Sequence, residues 1–144
     1  MSHIASYKTK IRLNQLRRGA SPEHDPTWRL LREAMEAAAE ELGGSVVDVI
    51  YDYCGAPTDC DLGLVTDDFP RGIGVRVNPV TGEVAFIYDD YGGFKLKALR
   101  ICEAIQQSYT TLALARALKE LHYEVEMEEI REGQERAVVV RGVL

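Results

Sequence analysis

The sequence predicts an α+β fold, a largely antiparallel sheet with two main helices packed on one face, in the order β-α-β-β-β-β-α-β-β. Three observations predict it. Two stretches, 25–43 and 95–122, carry the apolar spacing of helices. The stretches around them are short and rich in β-branched and aromatic residues, and the turns between the central ones are too short for a crossover, so neighbours run antiparallel. No repeat, low-complexity run or linker divides the chain, and 144 residues suit one domain, so residues 1–144 are expected as a single α+β domain.

The first strand is read from Tyr7, Thr9, Ile11 and Leu13 alternating with Lys8, Lys10 and Arg12, a half-buried strand with a basic outer face. Asn14 to His24, with Arg17-Arg18-Gly19-Ala20-Ser21-Pro22, has no period and reads as a surface loop. Lys8, Lys10, Arg12, Arg17 and Arg18 form either a phosphate-binding patch or a solvated edge whose lysines discourage strand pairing; the acidic total favours the second. Asp25 and Pro26 start a helix, since the carboxylate accepts from free amides and proline at the first position loses no hydrogen bond. Leu31, Ala34, Met35, Ala38 and Leu42 follow its i, i+3, i+4 pattern while Arg32, Glu33, Glu36 and Glu40 face outward, Trp28 is its core lid, and Gly43-Gly44 its end.

Val46 to Tyr53 is the second strand, followed by a meander of Leu62 to Thr66, Gly72 to Asn78 and Val84 to Tyr88. Asn78-Pro79-Val80-Thr81-Gly82 and Asp67-Asp68-Phe69-Pro70-Arg71-Gly72 supply the turns. Gly72-Ile73-Gly74 is not a phosphate loop, because it lacks the third glycine and leads into a strand; no cofactor is expected. After Tyr91-Gly92-Gly93, Lys95 to about His122 carries two stripes, Ile101, Ile105, Ser108 and Leu112, then Leu114, Leu118 and Leu121. That pattern predicts either a bend near Ser108 to Thr111 or a helix buried on two sides. Tyr123 to Met127 and Ala137 to Val140 with Val143 close the chain as a hairpin, whose open edge suits a homo-oligomer.

Charge is concentrated in the middle. The formal net charge is −6, and residues 48–90 hold nine carboxylates against Arg71 and Arg76. Such a local field favours a cation or a basic protein partner and disfavours a nucleic-acid backbone. Single-strand binding by Tyr7, Lys8 and Arg12 would need a basic groove with aromatic platforms. No signal peptide is expected from Met1-Ser2-His3-Ile4, whose apolar residues are isolated between polar ones, and no run approaches the roughly 20 apolar residues of a membrane span. Three cysteines without an export signal point to reduced thiols and a cytoplasmic location.

Cys54 and Cys60 lie six apart among Asp59 and Asp61, and His3 would approach them if the first strand lay alongside, which makes Cys54, Cys60, Asp59 or Asp61, and His3 a candidate metal set. The spacing fits zinc poorly, and the competing reading makes Cys60 a small core residue and places Cys54 in a turn. Cys54 with His3, His24 or His122 is a candidate nucleophile and base, opposed by carboxylates that raise a thiol pKa. Asp67-Asp68 and Asp89-Asp90 read as solvated turn residues in preference to acid/base pairs, because neighbours in an extended segment point apart. Cys102 reads as packed in the long helix. Tyr88, Tyr91 and Phe94 around Gly92-Gly93 suit partner recognition or anchoring of the long helix.

Met1-Ser2-His3-Ile4 with Tyr7-Lys8-Thr9-Lys10-Ile11, Asp61-Leu62, Ile73-Gly74, Gln107, Tyr109 and Tyr123-Glu124-Val125 resemble the hypothetical chloroplast reading frame 35 family of cyanobacteria, plastids and other bacteria. The chain departs from that pattern at the loop 14–24, at His122 and at the Cys54 to Cys60 segment. The resemblance implies an accessory protein, often encoded near an AAA-type ATPase, and no assigned reaction. The expected function is a non-catalytic adaptor that binds a protein partner, such as an ATPase component, through Asp67, Asp68, Asp89, Asp90, Tyr91 and Phe94. The rival is a metal- or small-ligand-binding protein or enzyme centred on Cys54, Asp59, Cys60 and His3.

Overall fold

Alternation in the sequence becomes a five-stranded antiparallel sheet with two helices on one face. The computed structural model describes residues 4–13, 25–121, 124–133 and 135–143; the loop 14–24, with Arg17 and Arg18, lies outside them, as do His3, His24 and His122. The elements are β1 (Ile4–Arg12), α1 (Pro26–Leu42), β2 (Ser45–Tyr51), β3 (Pro57–Val65), β4 (Ile73–Val77), β5 (Glu83–Asp89), α2 (Lys95–Glu120), β6 (Glu124–Glu132) and β7 (Glu135–Val143). The order matches the α+β expectation. The sheet runs β1-β5-β4-β3-β2, and β6 with β7 forms a separate two-stranded sheet.

Local chemistry places the ends. Asp25 accepts from the Thr27 amide at 2.8 Å, Pro26 opens α1, and Gly43 closes it in the left-handed region. Asn78 accepts from the Val80 and Thr81 amides at 2.9 and 3.1 Å and so shapes the β4–β5 turn. β1 returns beside the last strand of the meander, Tyr7 opposite Phe86, and the Thr9 hydroxyl donates to the Val84 carbonyl at 2.6 Å. Inward residues of the sheet meet both helices in one core that includes Leu31, Met35, Leu62, Leu64, Phe69, Ile73, Phe86 and Ile105, all fully buried, with Trp28 among them. Truncating one such aliphatic side chain to alanine costs ~2–5 kcal/mol.

Three expectations change. α2 is one continuous helix from Lys95 to Glu120, without a break at Thr110-Thr111. Nor is its second stripe buried: Leu114 and Leu121 are exposed, since the later turns face α1 through Ala115 and an Arg116–Glu33 ion pair at 2.7 Å. The third change is the start of β3, which lies at Pro57 instead of Leu62, because residues 57–61 pair with the end of β2 to form an arm.

The arm owes its course to a bulge. The β2–β3 register passes from Val47 opposite Gly63 to Val49 opposite Asp59, so three residues of β3 answer one of β2. A bulge of this size bends the strand pair, and the arm lies across the outer face of the sheet. Ile50 thereby packs on the backbones of Gly63, Gly72 and Gly74: a Cβ at Gly74 would lie 2.9 Å from Ile50 Cδ1, and one at Gly63 would lie 3.0 Å from Cys60 Sγ. These glycines form a flat floor under the arm. With it in place, Ile50 and Ile87 are buried on the side away from the helices.

Candidate functional site: an aromatic corner fastened by Asp89

The arm, the β3–β4 turn and the β5–α2 connection meet at one end of the sheet. Asp52 closes the tip of the arm by accepting from the Ala56 amide at 2.8 Å, and this presents Tyr53 and Cys54 at the surface. Beside it, β5 ends in Asp89, whose carboxylate accepts from the Tyr53 amide at 2.8 Å and the Tyr91 amide at 3.0 Å. One side chain therefore binds the arm to the corner. The corner needs its glycines: Gly92 and Gly93 both hold φ near +85°, where a side chain is strained.

Arg71 completes the joint from the β3–β4 turn. Its Nη1 donates to the Asp89 carbonyl at 3.1 Å and the Tyr91 carbonyl at 2.7 Å, and lies 3.9 Å from the Asp89 carboxylate. The guanidinium also stands between two rings, 4.5 Å from the Phe94 centroid and 5.3 Å from that of Tyr53. Its own carbonyl accepts from the Tyr51 amide at 2.7 Å, a second tie to the arm. Tyr53 and Tyr91 meet edge to face at 4.4 Å, and Phe94 rests on Phe69. Tyr53 remains 48% exposed and Tyr91 39%. Large, partly exposed rings are thus held in place by charge-assisted bonds beneath them.

The acidic residues divide into two kinds. Asp67 and Asp68 are exposed in the β3–β4 turn, as the expectation of a binding surface requires. Asp89 is 1% exposed and Asp90 9%, which corrects their reading as solvated turn residues. The Asp89 carboxylate is consumed by backbone donors and cannot present charge to a partner. Sequence reasoning missed Arg71 and Tyr53. The available signal was that Arg71 is one of only two cations among nine carboxylates.

Cys54 and Cys60 are not brought together. Cys54 is at the exposed tip, whereas Cys60 lies three residues along β3 from Pro57, where the arm closes, about 10 Å of strand away. Cys60, with Asp59 and Asp61, borders a shallow cavity of about 300 Å³ beside Arg76 and Ile87. Burial, then the charges of Asp48 and Asp61, push its thiol pKa up, the wrong direction for a nucleophile. Cys102 is packed, its pKa pushed up to about 12 by burial. Among the described residues no three His, Cys, Asp or Glu side chains converge as a metal set. No described helix is long and apolar enough to cross a membrane.

No protein-family model, curated protein or solved structure matches the chain.

Proposed function

We propose that the chain is a non-catalytic accessory protein that binds a protein partner through the corner of Tyr53, Arg71, Tyr91 and Phe94, with Asp67 and Asp68 on its rim. The observation that carries this reading is the wholly buried Asp89, which locks two exposed tyrosines on separate segments into contact. Rigid Tyr and Arg side chains are the residues that dominate protein interfaces, and rings already ordered lose little entropy on binding. The acidic rim adds steering toward a basic patch. The family resemblance supplies the class of partner, a component of an AAA-type ATPase system.

The test is affinity capture from the host with the wild type and with Tyr53→Ala combined with Tyr91→Ala, followed by mass spectrometry. The expected result is a reproducible protein partner lost from the double variant while the circular dichroism spectrum is kept. Retention of the same partner by the double variant refutes the corner as the site. Asp67→Asn with Asp68→Asn weakens capture at low salt without abolishing it.

A further inference from the structure

Two strand edges of this chain, those of β1 and β6, carry opposite charges. β1 is bound only by β5 and β6 only by β7, so each offers one unpaired edge among the described residues. Both strands are nine residues long. On β1, Lys8 and Lys10 point away from the helices and are exposed, while Tyr7 and Ile11 point toward them. Between these, residues 9–11 form a bulge that answers Val84 alone, and the Thr9 hydroxyl fills the gap to β5, donating to the Val84 carbonyl and accepting from the Ile11 amide. Neither lysine has an ion pair among the described residues.

β6 has the reverse charge on the corresponding face. Directly opposed residues of a pair share a face, and Glu129 opposes Val138, which borders a groove with α2 residues Gln106, Gln107, Thr110 and Thr111. Val125, Met127 and Glu129 therefore lie on the α2 side, and Glu126 and Glu128 face away, exposed. The hairpin is held there from both helices: Glu41 of α1 pairs with Arg131 at 2.9 Å and with Arg136, and Gln107 of α2 donates to the Arg136 carbonyl at 2.9 Å. A two-stranded sheet is marginal alone and gains from a further strand.

We propose that a second copy of this chain adds its β6 to the open edge of β1. In an antiparallel register with Lys8 opposite Glu128, Lys10 comes opposite Glu126 and Ile11 beside Val125, the bulge at residues 9–11 lying within the paired stretch. Unlike charges then pair on the outer face, and Val125 extends the apolar face that carries Ile11 toward the helices. The like pairings fail on charge, since β1 with β1 sets lysine against lysine and β6 with β6 sets glutamate against glutamate. Glu128 already reaches Arg141 at 3.5 Å, an exposed contact it can share with Lys8. The contact joins different surfaces, so it closes as a dimer when reciprocal and otherwise extends.

Sedimentation velocity of the full chain across a concentration series tests this. Wild type is expected to self-associate at low salt and to dissociate near 1 M salt, where the screening length falls to ~3 Å. Lys8→Glu with Lys10→Glu, and separately Glu126→Lys with Glu128→Lys, each weaken self-association at least about tenfold. An equimolar mixture of the two variants restores it, because the acidic β1 of the first meets the basic β6 of the second, and the unchanged basic β1 of the second meets the unchanged acidic β6 of the first. These substitutions are at exposed positions, and circular dichroism checks the fold. A wild type that stays monomeric throughout overturns the proposal. So does a mixture that stays monomeric, or an assembly indifferent to both swaps but abolished by Val139→Lys, which assigns the contact to β7. Tyr53→Ala with Tyr91→Ala leaves self-association unchanged, separating this edge from the aromatic corner.

Discussion

Replacing Asp89 with alanine removes the acceptor of two amides and leaves Arg71 without the nearby carboxylate. Each orphaned amide costs ~1–3 kcal/mol when buried; both hydrogen bonds are only partly shielded from water, which sets the lower end of that range. Arg71, 15% exposed in its side chain, keeps its two carbonyl acceptors, so its added cost is small. The total is ~2–4 kcal/mol. An unfolding entropy of ~2.1 cal/mol/K per residue gives ~300 cal/mol/K for this chain, so the Tm falls by about 7–13 °C. Asp89→Asn keeps one acceptor oxygen but turns an amide donor toward the other N–H, and is expected to lose about half as much. Thermal unfolding followed by circular dichroism measures the change, and the reactivity of Cys60 toward a thiol reagent reports whether the arm has lifted. An alanine variant within about 2 °C of wild type, with Cys60 no more reactive, refutes the role assigned to Asp89.

Gly74→Val places methyl groups into the space occupied by Ile50 and is expected to lift the arm, destabilising by ~1–3 kcal/mol and raising the Cys60 labelling rate; unchanged labelling shows the floor to be dispensable. In alkali, the raised pKa of Cys102 has a defined sign: below pH 9.0 the thiol is protonated in both states and its contribution is intact, and between 9.0 and about 12 only the unfolded thiol ionises, so stability falls. The full interval corresponds to about 4 kcal/mol. Cys102→Ala should flatten this part of the stability–pH profile measured by urea unfolding, and an unaltered slope contradicts it.

Much of the fold is legible because single residues announce it. Asp25-Pro26 and Gly43 bracket α1, Asn78 makes the β4–β5 turn, and the alternation of β1 shows which of its faces is wet. What alternation cannot report is a bulge. The slip between Val47 and Val49 sends the arm over the sheet and makes Gly63, Gly72 and Gly74 contact residues, a role their sequence context does not display. The same slip brings Tyr53 to Asp89, 36 positions away. Local composition had marked Asp89-Asp90 as a solvated turn, since nothing in Ile87-Tyr88-Asp89-Asp90-Tyr91 shows that two amides are waiting for a carboxylate. The second stripe of α2 misled for a different reason: leucine spacing reports a helix, but whether a partner covers it depends on how far the sheet extends.

Neutralisation at the corner separates the two surfaces by salt dependence. Asp89 is buried against backbone donors and Arg71 lies under the rings, so the centre of the corner offers aromatic area with its charges already engaged. Only the rim, Asp67 and Asp68, keeps a free electrostatic contribution, and exposed pairs contribute ~0–1 kcal/mol. Partner binding at the corner should therefore persist as salt rises, losing association rate before affinity. Pairing of the β1 and β6 edges selects its partner by Lys8, Lys10, Glu126 and Glu128, all exposed, and should disappear over the same range. A partner still captured by a chain that salt has made monomeric would show that the two surfaces act independently.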